Sequence, residues 1–364
     1  MSLKIGIVGL PNVGKSTLFN ALTRSSGAQA ANYPFCTIDP NVGMVEVPDP
    51  RLKKLAEMVK PEKTIPAVVE FVDIAGLVKG ASEGEGLGNK FLSHIRQCHA
   101  IAQVLRFFQD DDITHVHGGV NPKLDMDVIQ LELILADLDT VNRRFTETQK
   151  KTKSGDKQAM KEVVILEKVK TWLEDEKLAI NLDLNDDEQE FIKTLHLLTY
   201  KPFLYIANVK EDELTQFDAP KIKMDLNVGP NEEILPISAK VEEDLVGFSE
   251  DEANEYLAEL GLKESGLNAV IRSAYHLLGL QTYFTAGVKE VRAWTMKQGN
   301  KAPQAAGVIH TDFEKGFIKA ETIAYHDFVE CGGEQGAKEK GKMRMEGKEY
   351  VVQDGDVMHF KFNV

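Results

Sequence analysis

Along residues 4–121 short apolar runs of strand type alternate with stretches of helical period, and residues 5–8, 68–72 and 101–108 read as strands. That alternation is the rhythm of a parallel α/β sheet with crossover helices. It resumes late, with buried strands predicted at 202–207 and 233–237, so the sheet is interrupted. The interruption is helical. Within 125–149, Val128, Leu131, Leu135, Leu138, Val141 and Phe145 recur at steps of three and four. A polar break at Lys153-Ser-Gly-Asp156 follows, and Val163, Leu166, Val169 and Leu173 then form a second stripe. The pattern predicts two antiparallel helices, each roughly 30 Å long at 1.5 Å per residue. Their outer end carries Lys150, Lys151, Lys153 and Lys157, either a solvated tip or a contact site. From about Gln281 the chain becomes β-rich, and residues 350–362 read as two strands flanking an Asp-Gly turn, within a separate small α+β domain.

Composition narrows the class. A hydrophobic content of 43%, with 27% charged and 7% aromatic residues, is that of an ordinary globular chain, and 364 residues fit two or three units. The N-terminus shows no basic n-region, long apolar segment or cleavage site, so a cytoplasmic protein without membrane contact is expected. Cys36, Cys98 and Cys331 are odd in number and widely spaced, which fits reduced thiols. A net charge of −14 opposes indiscriminate nucleic-acid binding, so any such binding requires a local patch. Residues 281–364 hold 12 Lys+Arg and 12 Asp+Glu, which places the whole acidic surplus upstream.

Gly9-Leu-Pro-Asn-Val-Gly-Lys-Ser16 satisfies the P-loop pattern, between a predicted strand and a predicted helix. Main-chain N–H groups of Asn12, Val13, Gly14, Lys15, Ser16 and Thr17 are expected around the phosphates. Lys15 neutralises β/γ oxygens, and the Ser16 hydroxyl is a Mg²⁺ ligand beside the helix N-terminus. About 60 residues on, Asp73-Ile-Ala-Gly76 follows its own strand. Asp73 is expected on the Mg²⁺ side, and the Gly76 N–H senses the γ-phosphate. Thr37 is the best candidate to complete the Mg²⁺ shell, with Thr23 and Thr64 competing. Five glycines between Gly76 and Asn89 suit a switch ordered by the γ-phosphate. Asn12 either shares a K⁺ with the phosphates or braces the loop.

Guanine readers end a strand with N-K-x-D, whereas this chain has Asn208-Val-Lys-Glu211. Glu211 carries an extra methylene and Val209 replaces the lysine stem that covers the base, so guanine specificity is not expected. Ser238-Ala-Lys240 supplies the fifth-motif loop, with the Ser238 and Ala239 main chain supporting the base. Together with the run from Thr282 to Trp294, these motifs resemble the YchF family of Obg-related P-loop NTPases over essentially the whole chain. The resemblance implies an α/β fold. A P-loop G-domain sheet (1–124 and 196–280) carries a helical coiled-coil insertion (125–195), followed by a C-terminal α+β TGS domain of β-grasp type (281–364). It further implies ATP preferred over GTP and association with the ribosome, on its large subunit, to modulate translation or a stress response.

Leu77 stands where Ras-like enzymes place the glutamine that orients water, so slow intrinsic turnover is expected, with the polar group supplied from elsewhere. His115 is the preferred candidate; a plain surface histidine is the alternative. Three readings stay open: an ATPase switch on the ribosome, a GTPase of ribosome assembly, and a nucleotide-gated RNA-binding protein. For contact with rRNA or tRNA the C-terminal cluster Lys338, Lys340, Lys342 and Arg344 is a candidate. A monomer is expected.

Overall fold

The computed structural model describes residues 3–25, 41–74, 89–110, 119–229 and 232–363. Among these the strands are β1 (Lys4–Val8), β2 (Val42–Glu46), β3 (Lys63–Ile65), β4 (Val68–Asp73), β5 (Ala100–Arg106), β6 (Phe203–Asn208), β7 (Glu233–Ile237), β8 (Leu280–Ala286), β9 (Glu290–Lys297), β10 (Phe317–Ile323), β11 (Arg344–Glu346) and β12 (Val357–Phe362). The chain divides into two compact units, residues 1–43 with 70–270, and residues 44–69 with 271–364.

The first sheet runs β2-β4-β1-β5-β6-β7. β1 pairs in parallel with β4 and β5, and β6 lies parallel between β5 and β7. β5 and β6 are buried along their whole length, as strands covered on both faces must be. Helix α1 (Lys15–Ser25) leaves the end of β1 through the Gly9–Gly14 turn.

The insertion departs from β5 as predicted, but its seam is different. Helix α4 (Pro122–Thr152) follows α2 (Pro50–Val59) and α3 (Asn89–Gln97), and its 31 residues span about 46 Å. Asn121 caps it, its side chain accepting from Leu124 N–H. Helix α5 (Lys157–Glu174) has 18 residues, about 27 Å, and packs back along α4. On α4 the buried face is Met126, Ile129, Leu133, Ile134, Asp137 and Val141, whereas Leu131 and Leu135 are 41% and 50% exposed. Of the expected stripe Val141 is buried, Val128, Leu138 and Phe145 are half-buried, and Leu131 and Leu135 turn outward. The reason is polar: Asp137 is fully buried, its carboxylate accepting from Leu198 N–H (2.8 Å), Thr199 N–H (2.7 Å) and Thr199 Oγ1 (2.7 Å). A period drawn through apolar letters alone cannot find a face that turns about an aspartate. On α5 the expected Leu166, Val169 and Leu173 are buried.

The second unit holds a mixed sheet, β11-β10-β12-β8-β9-β3. β8 and β9 form an antiparallel hairpin, and β12 lies between β8 (parallel) and β10 (antiparallel). Tyr283, Met296, Phe317, Met358 and Phe360 form its core under the helix Ala302–Ile309. The expected hairpin across 350–362 is absent among the described residues. Val351 makes only an isolated bridge to Lys301, because the turn is spent elsewhere: Asp354 accepts from Thr282 N–H at 2.9 Å and Gly355 donates to Thr282 O at 2.8 Å. Residues 44–69, placed by sequence with the P-loop part, sit with this unit because β3 extends its sheet beside β9, Lys63 opposite Glu290. Among the described residues no helix is long and apolar enough to cross a membrane.

Candidate nucleotide site

Two left-handed residues shape the loop after β1, Asn12 at φ 60° and Gly14 at φ 93°. Only glycine fits the second. A Cβ there would stand 2.2 Å from Asn208 Nδ2. Asn208, 4% exposed at the end of β6, donates to Val13 O at 2.8 Å and accepts from Ala239 N–H at 3.1 Å. One side chain thus ties the P-loop to the loop after β7. That loop ends in Ser238, whose hydroxyl accepts from Val241 N–H at 3.5 Å and caps the helix Ala239–Leu245.

Lys15, the first residue of α1, reaches across to the carboxylate that ends β4, its Nζ paired with Asp73 Oδ1. Both side chains are mostly buried, 13% and 14% exposed. The P-loop lysine and the expected Mg²⁺-side carboxylate therefore converge on one point, with Ser16 beside them and exposed. Gly76, Thr37, His115 and Leu77 lie outside the described residues. Of the competing threonines, Thr23 is spent on Phe19 O (2.9 Å) within α1, and Thr64 lies on β3 in the other unit.

Beside the P-loop opens a cavity of about 700 Å³. Asn12, Gly14 and Thr17 form one wall, Phe108 to Asp110 another, Asn208 to Asp212 a third, and Ser238 to Lys240 with Glu243 the fourth. Its size lies in the range of small-ligand sites. Val13 is fully buried, in keeping with a role expected of its main chain alone. Two expected roles shift here. Val209 is 4% exposed and pairs its N–H with Ile237 O at 2.9 Å, so it closes the core more than it covers a base. The Ala239 N–H is bound to Asn208, which leaves it braced rather than aimed at a base. Glu211 stands exposed on the cavity rim.

Sequence reasoning missed Arg106, 1% exposed at the end of β5. Its guanidinium donates to Asn12 O (3.4 Å), Phe108 O (3.1 Å) and Asp110 O (3.3 Å) and lies 4.4 Å from the Phe108 ring centre. An arginine closing a strand whose one other polar residue is Gln103 was the available signal, and the apolar run absorbed it. Lys210 on the cavity wall was likewise passed over. Glu242, in the helix that Ser238 caps, is held up at about 7 by burial, against the N–H groups of Gly266 and Leu267 and the Ser265 hydroxyl. Burial also pushes Cys98 up to about 11, an inert thiol. In the C-terminal basic cluster Lys342 pairs with Asp327 at 3.0 Å and Arg344 with Asp356 and Glu346, both at 3.4 Å.

Two family models match. The 50S ribosome-binding GTPase family (MMR_HSR1) covers residues 4–136, and YchF-GTPase_C, described as a protein of unknown function (DUF933), covers 280–363. A ribosome-binding ATPase YchF of Bacillus subtilis (strain 168) is 58% identical over 368 residues, each chain matched over 100% of its length. The chain belongs to the YchF family. A ribosome-binding ATPase YchF of Escherichia coli O157:H7 is 57% identical, again over 100% of both chains. The YchF GTPase structure of Schizosaccharomyces pombe aligns with a TM-score of 0.90 at 44% identity, covering 99% of this chain and 98% of that one. A GTP-binding protein of Pyrococcus horikoshii OT3 shares the fold at 20% identity, with a TM-score of 0.61 over 99% of this chain and 100% of its own. The YchF fold thus accounts for both sheets and for the helical insertion between β5 and β6.

Proposed function

We propose that this YchF chain is a ribosome-binding P-loop nucleotide hydrolase that cleaves Mg²⁺-ATP in preference to GTP and acts as a switch in translation or a stress response. The observation that carries the reading is Lys15 held against Asp73 at the head of α1, beside a cavity built from the P-loop, the end of β6 and the loop after β7. Ser16 and Asp73 offer the hydroxyl and carboxylate oxygens that Mg²⁺ takes, and the ion would neutralise β/γ charge there. Lys15 then exchanges its carboxylate for phosphate oxygens, while Asn208 keeps the loop in shape without touching the tail.

ATP preference is supported by Val209 and Glu211 where guanine readers carry lysine and aspartate. The names of relatives divide, ATPase for the Bacillus subtilis protein and GTPase for the Schizosaccharomyces pombe structure, so the base is the point to test. Titration of the purified chain with labelled ATP and GTP, followed by turnover with and without ribosomes, decides it. Guanine preference would reverse the reading of Val209 and Glu211. Loss of affinity for both in Lys15→Ala is expected, and undiminished binding would overturn the site. His115 is proposed as the polar group that replaces glutamine, and His115→Ala turning over as fast as wild type, with and without ribosomes, would refute it. A K⁺ shared by Asn12 predicts faster turnover in K⁺ than in Na⁺. The same reading makes the protein a cytoplasmic monomer, which sedimentation of the pure chain checks.

A further inference from the structure

The outer end of the α4–α5 hairpin concentrates positive charge on a chain of net charge −14. Between residues 143 and 161 stand Arg143, Arg144, Lys150, Lys151, Lys153, Lys157 and Lys161, against Glu147 and Asp156 alone. Arg144 is matched by Glu162 at 3.4 Å, and Asp156 is consumed as the cap of α5, accepting from Gln158 N–H and Ala159 N–H. Among the described residues the five lysines make no ion pair, and all five are exposed.

Helix stability does not explain them. Lys150 and Lys151 in the last turn of α4 suit the helix dipole, but Lys157 opens α5, whose first turn holds no acid. A cation there costs stability instead of adding it. The tip is also poor in what a protein partner requires: between residues 143 and 161 Met160, 47% exposed and flanked by Lys157 and Lys161, is the one large apolar side chain among the exposed described residues, with Val164 a turn further along α5. Tight protein contacts need a cluster of buried aromatic or apolar anchors, and amphipathic membrane-surface helices need a broad apolar face. A surface of compact, unpaired ammonium groups with a single methionine among them is suited to a polyanion read by charge.

We propose that this tip docks on the phosphate backbone of structured RNA, and that on the ribosome-binding reading above it is the element that grips ribosomal RNA. The C-terminal cluster is the weaker candidate, because Lys342 and Arg344 already have carboxylate partners.

The test uses the full chain and the variant K150Q/K151Q/K153Q, with a fluorescein-labelled 20-base-pair RNA duplex titrated at several salt concentrations and 70S ribosomes in co-sedimentation. Each phosphate contact contributes roughly −0.9 to the slope of log affinity on log salt for a duplex. The variant is expected to lose about tenfold or more in RNA affinity near 0.1 M salt and to flatten the slope by about 2 to 3. Its ATP affinity, basal turnover and melting temperature should match wild type, and K157Q should melt no lower. Equal RNA affinity and slope in both proteins would overturn the proposal. So would loss of ribosome binding in the variant when the wild type ignores naked RNA, because the tip would then meet an acidic protein surface. If wild type fails to sediment with ribosomes, the ribosome reading falls while the duplex titration still decides the tip.

Discussion

The Lys15–Asp73 pair makes the free site its own competitor, and Asp73→Asn tests that. A triphosphate must draw Lys15 away from a carboxylate it already neutralises. At 13% and 14% exposure the pair is shielded from solvent more than a surface ion pair. Coulomb attraction near contact at an effective dielectric of ~20 is about 5 kcal/mol, and desolvation offsets most of it, so the net is about 1–2 kcal/mol. Asp73→Asn should therefore tighten ATP binding measured in EDTA by roughly 5- to 30-fold, at about 1.4 kcal/mol per decade. Removing the negative charge also relieves repulsion of the phosphates, so the pair must be isolated by a cycle with Lys15→Ala and the double variant. The assay is fluorescence titration with a labelled ATP analogue, with and without Mg²⁺. In the Lys15→Ala background the gain should shrink to the repulsion alone, and the extra affinity conferred by Mg²⁺ should fall in Asp73→Asn. The same gain in both backgrounds, or no gain in EDTA, would refute the competition.

Gly14→Ala forces a Cβ to 2.2 Å from Asn208 Nδ2 at φ 93°, and isothermal titration should show no ATP binding in a protein that still folds. Asn208→Ala strands the Val13 carbonyl and the Ala239 N–H in a buried site, so urea denaturation should show a loss of about 2–4 kcal/mol, with nucleotide affinity falling in parallel. Glu242 sits at about 7 in the fold against 4.5 ordinarily, so the folded chain holds a proton that the unfolded chain releases across that window. Stability contributed by this group therefore falls as pH rises from about 4.5 to 7, by at most about 3 kcal/mol, and Glu242→Gln should remove that share of the slope in denaturation measured from pH 4.5 to 8. Equal slopes in the two proteins would show that Glu242 is not the titrating group.

The P-loop, the strand rhythm and the place of the insertion were legible because each depends on local chemistry: glycine at Gly14, apolar runs at β5 and β6, and apolar residues at steps of three and four between them. What escaped depends on polar groups whose partners are distant in sequence. Asp137 on α4 is buried by N–H groups more than 60 positions away, and an apolar period drawn through Leu131 and Leu135 misses the face centred on it. Asp354 meets Thr282 and Arg51, so an Asp-Gly pair that locally signals a hairpin turn makes long-range ties instead. β3 joins a strand more than 200 residues downstream, which no window of local pattern can see. Arg106 escaped for the opposite reason, its hydrophobic neighbours outvoting one charge.

Asn208 explains why the base site is the part that motif reading describes least well. Fourth-motif reasoning treats the asparagine, the next residue and the acid as a unit that reads the base, yet the Asn208 amide spends its Nδ2 on Val13 O and its Oδ1 on Ala239 N–H. Arg106 binds the same P-loop from the other side through Asn12 O. The loop proposed as the phosphate cradle is thus braced from β5, β6 and β7, with Val209 folded into the core. On the proposed reading, discrimination between bases is left to the exposed rim, where Asp110, Glu211, Asp212 and Glu243 outnumber Lys210 and Lys240. Rim side chains are long, solvated and readily rearranged, so their contribution to selectivity is modest beside the binding strength of the cradle. Substitutions at Glu211 should therefore shift the ratio of ATP to GTP affinity while leaving the dependence on Lys15 intact. A Glu211→Asp variant that abolished binding of both nucleotides would show instead that rim and cradle are one unit.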